Sequence, residues 1–480
     1  MEDYKSQFID FLLSTGSLGI FEDSAKDRTL KSGRISPWFV NIGEFNEGES
    51  TSSLAGYYAN AITNSEVPVN LLLYGIPEKG VGLAVGTAIA MAQQGHNIGW
   101  CFSRKDEKTH GEASGLGPAD RAKKLFVGKV PTAESRICQL DDVFTAGDAK
   151  YEANAFLTSF GFFNLPLLAI AVDRQEVATD SRDAIAEYEQ RTGTKVVSVV
   201  SALNIFDHLT QNGSSSPRTL ERLGNYLRVY GTEAARKGIT ERAGTLEQRI
   251  IERDRSVIPA CDVSSLEQFE ELVKQTANVD GIGGYKLGFE LGLTYGLPKV
   301  VEVARQHTNK PLIYDHQKAG TDIPDIGRNF ARVMKNAGID TVILFPQAGP
   351  ETERSWIYHA LDNGLNVIVG GRMTHPAYAV SEGGFITDEG ALEMYRIAAR
   401  AGINNFVVPG NKPSVIKQVR EVIEAEGVSP IFYAPGFVAQ GGVISEAAKV
   451  AGDNFHGIVG RGIYQAPDMR EAALQHTSKL

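Results

Sequence analysis

Val257-Ile258-Pro259-Ala260-Cys261, closed by Asp262 and followed by a helical pattern over 265–276, is the stretch on which the fold turns. It is short, apolar and free of polar alternation, as expected of a parallel strand covered on both faces. The same unit recurs at 284–287, 312–315, 341–345, 367–369, 405–408, 431–434 and 457–459, at intervals of roughly 25 to 40 residues, with helical patterns such as 412–425 between the runs. Eight strand–helix units in that rhythm predict a (β/α)8 TIM barrel. The interval between the fifth and sixth runs is stretched by residues 373–385. A long loop after a barrel strand lies on the C-terminal rim, so this one reads as a candidate lid.

Upstream of the barrel, residues 210–255 contain Asn212-Gly213-Ser214-Ser215-Ser216-Pro217 and charged stretches such as 236–242, which reads as a turn and exposed helices joining two domains. Before that joint, apolar runs at 69–76, 97–102, 136–140, 165–172 and 196–200 alternate with helical patterns. Alternating strand and helix predicts an open, mostly parallel sheet with helices on both faces. The expected division is a first α/β domain over 1–210, a helical linker over 211–255 and the barrel over 256–480.

Composition narrows the class. The 480 residues are 42% hydrophobic and 22% charged, enough for two or three packed cores. A net charge of −10 has the wrong sign for a general nucleic-acid or anionic-membrane binder. Any anionic ligand has to be held by a few placed cations and backbone amides. Three cysteines, Cys101, Cys138 and Cys261, without a CxxC pair, argue against a disulfide framework or structural zinc. No apolar run reaches the roughly 18 residues of a membrane span, and Met1-Glu2-Asp3 does not open a signal peptide. At the other end, Ser478-Lys479-Leu480 is the tripeptide that a peroxisomal import receptor reads. The expectation is a projecting tail and a peroxisome-like organelle such as a glycosome, with the cytoplasm as the alternative.

The first half places its chemistry at strand ends. The run 136–140 enters Asp141-Asp142-Val143-Phe144-Thr145-Ala146-Gly147-Asp148-Ala149 and then a helix from Lys150. Two acids at a strand end can hold ribose hydroxyls and the water around magnesium, while 145–149 can wrap a phosphate with amides at a helix N-terminus. An acid pair alone also suits a solvated, helix-capping turn; strand, acids, Thr-Ala-Gly and helix together favour the phosphate site. The stretch Arg104-Lys105-Asp106-Glu107-Lys108-Thr109-His110-Gly111-Glu112 leads into a Gly-rich segment. It is either a solvated loop or a cationic flap able to neutralise a departing pyrophosphate.

These residues resemble the orotate phosphoribosyltransferase family. The resemblance rests on Leu30-Lys31-Ser32-Gly33-Arg34 through Ser36-Pro37-Trp38-Phe39, Tyr74-Gly75-Ile76-Pro77-Glu78-Lys79-Gly80, the loop 104–112, the turn 141–149, Val172-Asp173-Arg174-Gln175-Glu176, and Val200-Ser201-Ala202-Leu203. It implies that Lys31, Lys79, Arg104, Lys105, Lys108, His110, Asp141, Asp142, Gly147 and Ala149 serve phosphoribosyl pyrophosphate. It gives the rest of the loop 141–149, Thr145 and Ala146 included, to the same ligand, and implies that Phe39, Thr145 and Arg174 hold orotate. Lys108 and His110 are the implied catalytic groups. Glu78 departs from the aromatic or neutral residue usual there, while Lys79 beside it is retained.

In the second half the charged groups also sit at strand ends: Asp262, Lys286, and Asp315-His316-Gln317-Lys318-Ala319-Gly320-Thr321-Asp322-Ile323. Structural ion pairs on the rim would explain them; an alternating acid and lysine network with a task explains them better. The positions resemble orotidine 5'-phosphate decarboxylase, and the two halves together resemble the fused uridine monophosphate synthase family. Pro435-Gly436 with Gln440-Gly441-Gly442, and Ile458-Val459-Gly460-Arg461-Gly462-Ile463, extend the match.

The second resemblance implies that Lys318 is the cation and proton donor, with Asp315, Asp322, Lys286 and Asp262 around it. Gln440, Gly442, Gly460 and Arg461 would hold the 5'-phosphate, and Thr374, standing where the family has serine, the pyrimidine. The spacing departs from the family's Asp-x-Lys-x-x-Asp, with two residues between Asp315 and Lys318 and three between Lys318 and Asp322.

The implied substrates and products are orotate, phosphoribosyl pyrophosphate, orotidine 5'-phosphate and UMP. The implied cofactors are Mg2+ for the transferase, held through the pyrophosphate near Asp141 and Asp142 rather than by direct protein ligands, and none for the decarboxylase. A homodimer or larger assembly is implied, with no nucleic-acid or membrane partner. The alternative is a phosphoribosyl-pyrophosphate-sensing module fused to a barrel acting on another sugar phosphate.

Overall fold

The computed structural model describes residues 2–104, 118–144, 147–213, 215–246, 248–316, 321–437 and 441–480. The chain divides into two compact units, one of Met1–Leu30, Ser36–Leu227 and Gly231–Gly238, the other of Lys31–Ile35, Arg228–Tyr230 and Ile239–Leu480.

The first unit is built on a six-stranded sheet in the spatial order Lys195–Ser201, Leu167–Asp173, Ile137–Leu140, Leu72–Gly75, Gly99–Ser103, Phe126–Gly128. Five strands are parallel, as the alternation of runs predicts; the edge strand Phe126–Gly128 is antiparallel and has no counterpart among the expected runs. Its three residues, with Phe126 buried, are too short to show a period. The strand order reverses at Leu72–Gly75, the first strand of the sheet, which pairs with Gly99–Ser103 on one side and Ile137–Leu140 on the other, and such a switch point opens a crevice at the strand C-termini. Register sets its depth: Gly75 is opposite Leu140, so the chains 76–79 and 141–142 leave the sheet at one level. The approach is close enough that a Cβ on Gly80 would stand 2.2 Å from the Leu140 carbonyl oxygen, so only glycine fits.

The joint is not the exposed helix its charge suggests. Helix Pro217–Tyr230 buries Leu223, Tyr226, Leu227 and Tyr230, spaced three and four residues apart along one face. Arg222 is also fully buried in this helix, because Asp27 takes its Nη2 at 2.9 and 3.0 Å and the Phe21 carbonyl takes Nη1 at 2.6 Å. A buried arginine is tolerable only with such partners, and they lie 195 and 201 residues away, beyond any local pattern.

The second unit contains a closed barrel of eight parallel strands in sequence order: Arg255–Cys261, Tyr285–Leu287, Leu312–Asp315, Thr341–Leu344, Asn366–Gly370, Asn405–Val407, Ile431–Ala434 and Phe455–Val459. Ile258, Ala260, Ile313, Ile343, Ile368, Val407, Tyr433 and Ile458 fill the barrel core. Met373, Tyr378 and Ala379 of the long loop join that same cluster, and Tyr378 takes a hydrogen bond from Gln347 Nε2 at 3.1 Å. The base of the loop is therefore a packed wall of the barrel mouth, while Phe385 at its tip is 99% exposed.

Candidate active sites

In the first unit, the crevice between Leu72–Gly75 and Ile137–Leu140 is lined by two ion pairs. Lys79 Nζ pairs with Asp142 Oδ2, and the buried Lys150 Nζ lies 2.5 Å from Asp141 Oδ2. The remaining carboxylate oxygens accept backbone amides: Asp141 Oδ1 from Asp142 N at 2.9 Å, Asp142 Oδ1 from Val143 N at 2.8 Å. Tyr58 Oη, itself buried, donates to the Asp141 carbonyl at 2.7 Å. Burial pushes the Asp141 carboxyl up, against the pull of the Lys150 ammonium. The two acids thus differ: Asp141 is occupied by an internal lysine, whereas Asp142 is held by Lys79, whose side chain is 59% exposed and free to meet a ligand.

Gly147 takes φ +88° as it turns the chain into the helix Asp148–Ser159, two residues earlier than a helix from Lys150. That placement puts the start of the helix, whose first amides have no partner within the helix, seven residues after Asp141 in the chain. Arg104 is exposed at the end of strand Gly99–Ser103, its amide bonded to the Leu125 carbonyl at 3.0 Å. Ala149 is exposed on the first turn of its helix. Lys105, Lys108, His110, Thr145 and Ala146 lie outside the described residues. Lys31 is exposed and belongs to the short segment grouped with the second unit.

Arg174 follows strand Leu167–Asp173 and is held on three sides. Its Nε and Nη2 reach Glu176 Oε1 at 2.8 and 2.7 Å, Nη2 donates to Ser36 Oγ at 3.2 Å, and its guanidinium carbon lies 3.8 Å from the Trp38 ring centroid. Trp38 and Phe39 are neighbours on strand Trp38–Val40, so they face opposite ways: Trp38 is fully buried against Arg174 and Phe39 is 36% exposed. The aromatic at Arg174 is thus Trp38, a residue quoted in the motif but given no role. Lys150, Tyr58, Ser36, Glu176 and Tyr226 were likewise without a role; Lys150 alone carried a local signal, a lysine one turn past an acid pair.

At the barrel mouth, register brings the first three strands together. Ala260 is opposite Lys286 and Lys286 opposite Ile313, which sets Lys286 between the strand ends that carry Asp262 and Asp315. Its Nζ lies 3.1 Å from Asp315 Oδ2 and 3.6 Å from Asp262 Oδ1, with Lys286 and Asp315 both buried. Burial pushes the ammonium down, and the carboxylates of Asp315 and Asp262 more than offset this, so it stays charged well past neutral pH. Among the described residues, two carboxylates meet this one ammonium. A second cation is the natural complement, and Lys318, three residues after Asp315, lies outside the described residues.

Asp322 stands apart. It is exposed, with its Oδ1 accepting the Ile323 amide at 2.8 Å, and is not a partner of Lys286 among the described residues. Gly442 packs on the chain after the seventh strand, where its amide donates to the Gly436 carbonyl at 3.1 Å and a Cβ would stand 2.6 Å from that oxygen. Gly460 ends the eighth strand and its carbonyl caps the short helix Arg461–Tyr464, with Arg461 exposed. Thr374 is half-buried, its carbonyl taking Asn411 Nδ2 at 3.0 Å. Gln440 lies outside the described residues.

An open parallel sheet with ion-paired acids at its switch point, joined in one chain to a barrel with an Asp-Lys-Asp cluster at its mouth, its Lys286 and Asp315 buried, defines a two-site α/β enzyme. The chain belongs to the orotate phosphoribosyltransferase family: it is 35% identical over 232 residues to orotate phosphoribosyltransferase of Ruthia magnifica subsp. Calyptogena magnifica, covering 48% of this chain and all of that protein. The enzyme of Thioalkalivibrio sulfidiphilus is 36% identical over the same length and coverage. Residues 255–476 match the orotidine 5'-phosphate decarboxylase / HUMPS family. A solved orotidine 5'-monophosphate decarboxylase from Methanocaldococcus jannaschii is 24% identical, with a TM-score of 0.42 over 47% of this chain and 98% of that one.

Proposed function

We propose that this bifunctional enzyme carries out the last two steps of UMP synthesis. The first unit joins orotate to phosphoribosyl pyrophosphate, giving orotidine 5'-phosphate and pyrophosphate, and the barrel decarboxylates that product to UMP. The observation that carries the reading is the presence in one chain of a family transferase unit and a decarboxylase-family barrel whose Asp262–Lys286–Asp315 cluster sits at the strand C-termini. The barrel's family description spans more than one chemistry, and the fused transferase selects decarboxylation, because its product is the decarboxylase substrate.

In the transfer step, Asp142 and Lys79 face the ribosyl pyrophosphate, the amides around Gly147 take the 5-phosphate, and Arg174 takes the orotate carboxylate through its planar fork. Lys105, Lys108 and His110 neutralise the leaving pyrophosphate. Among the described residues no group of three or more His, Cys, Asp or Glu side chains could hold a metal. The acid pair fits Mg2+ carried in on the pyrophosphate: Asp142 would help hold it through water, and the ion would supply charge neutralisation to the leaving group.

In the barrel, loss of carbon dioxide from carbon 6 leaves a vinyl-type carbanion without a covalent electron sink, so its stabilisation is electrostatic. Lys318 stands beside the developing charge and delivers the proton. Lys286 fixes Asp315 and Asp262 on either side. Asp315 crowds the substrate carboxylate, a repulsion of about 4 kcal/mol for unit charges at 4 Å and an effective dielectric near 20. Enzymatic barrier reductions run to about 8 to 23 kcal/mol, so phosphate binding by Gly442, Gly460 and Arg461 has to supply much of the rest. No cofactor enters this step.

The working unit in this reading is a homodimer, in keeping with the exposure of Asp322 away from Lys286. An organellar location, in a glycosome or similar compartment, is proposed on Ser478-Lys479-Leu480, of which Ser478 and Lys479 are exposed. These residues continue the turn of helix Met469–Thr477, with Ser478 N bonded to the Leu474 carbonyl at 3.0 Å, rather than projecting as a loose tail. Deleting Leu480 should move a tagged protein to the cytosol with both activities intact; identical staining before and after would leave the cytoplasmic alternative. One coupled assay tests the whole reading: orotate, phosphoribosyl pyrophosphate and Mg2+ should yield UMP and pyrophosphate, and a barrel that leaves orotidine 5'-phosphate unchanged would refute it.

A further inference from the structure

The segment Arg174-Gln175-Glu176 is clamped from behind by the chain that follows the first unit's sheet. The Thr232 amide donates to the Gln175 carbonyl at 2.8 Å, Glu176 bridges antiparallel to Gly231, and the buried Tyr226 hydroxyl donates to Glu176 Oε2 at 3.2 Å. Glu176 Oε1 in turn holds Nε and Nη2 of Arg174, while Ser36 Oγ takes Nη2 and Trp38 covers one face of the guanidinium. The Gln175 side chain is also used, its Oε1 accepting the Leu203 amide at 3.0 Å. Every protein contact on the guanidinium thus falls on Nε, Nη2 or one face. Its Nη1 edge has no acceptor among the described residues.

We infer that Glu176 and Tyr226 are positioning residues of the orotate subsite, acting through Arg174 to make it selective for a pyrimidine that bears a carboxylate. A carboxylate this close to a substrate carboxylate is a hazard, since a free Glu176 could swing and either repel the ligand or close on both guanidinium nitrogens. With Oε2 tied to Tyr226 and Oε1 to the Nε side, Glu176 orients the fork without competing for Nη1. The helix Pro217–Tyr230 is then part of the substrate site and not only a joint. This rests on the reading of Arg174 as the orotate ligand.

The test uses the full-length protein and compares orotate with uracil, which lacks the carboxylate, as a competitive inhibitor. Tyr226→Phe should raise KM for orotate about 5- to 10-fold, the net worth of one ordinary hydrogen bond felt through Glu176, and leave kcat, KM for phosphoribosyl pyrophosphate and uracil inhibition within twofold. Glu176→Gln, which keeps the shape and removes the charge, should show the same selective rise and stands in if Tyr226→Phe does not fold. Equal weakening of orotate and uracil, or no change in orotate KM, overturns the inference. Arg174→Met separates the underlying reading: if it leaves orotate KM unchanged, Arg174 is not the carboxylate ligand, whereas a large rise with Tyr226→Phe silent refutes only the positioning role.

Discussion

Lys150 Nζ lies 2.5 Å from Asp141 Oδ2, with both side chains buried, so one of the two crevice acids is neutralised from inside the protein. Removing one partner of such a pair leaves an uncompensated charge and costs about 3–5 kcal/mol. Burial already raises the Asp141 carboxyl and Lys150 pulls it down, so Lys150→Met raises it further. A carboxyl raised on folding loses stability as pH climbs through its folded value. Lys150→Met should therefore melt well below the parent at pH 8, with the gap narrowing at pH 5, as read by calorimetry at the two pH values; a pH-independent gap would mean the pair is not the cause.

Asp173, next to Arg174, is pushed up to about 6, chiefly by burial, with Asp183, Glu176 and Glu189 adding to it and the Gln175 amide opposing. Its ionisation on going from pH 4 to 7 works against folding, by up to about 1.4 kcal/mol per pH unit between the unfolded and folded values. Asp173→Asn keeps an acceptor for that amide, 2.7 Å away, and has no charge to bury. The variant's stability relative to the parent should rise between pH 4 and pH 7 in urea titrations.

The two activities should separate by single substitutions. Lys108→Ala is expected to abolish nucleotide formation from orotate while decarboxylation of supplied orotidine 5'-phosphate stays near normal, and Lys318→Ala to do the reverse. Lys286→Ala should also silence the barrel, since it leaves Asp262 and Asp315 facing each other without their ammonium. If a folded variant in this set loses both activities, the two-site assignment fails. Asp315→Ala with near-normal turnover would move the acid's role to a neighbour.

Asp322 is exposed on its own barrel. If it completes the site of a second copy, mixing inactive Lys318→Ala and Asp322→Ala chains should restore part of the decarboxylation, because one hybrid site regains both residues. Activity that stays absent after subunit exchange has been demonstrated by mass spectrometry would show that each barrel uses its own Asp322.

What the sequence determined by itself was the periodic part. The eight apolar runs from Val257 onward and the alternation before residue 210 required a barrel and an open sheet, because burial on both strand faces writes itself into consecutive residues. The placement of Asp141, Asp142, Asp262, Lys286 and Asp315 at strand ends was legible for the same reason. Only the tertiary structure decided who partners whom. Trp38 rather than Phe39 faces Arg174, because strand alternation needs a known sheet face before it selects a side. Helix Pro217–Tyr230, charged enough to pass for a surface element, is buried because Arg222 meets Asp27 and Tyr226 meets Glu176. Those contacts span 195 and 50 residues. Hydrogen bonds and ion pairs act over a few ångströms of space and leave no period in the chain, so their pairing becomes visible only when the backbone has been folded.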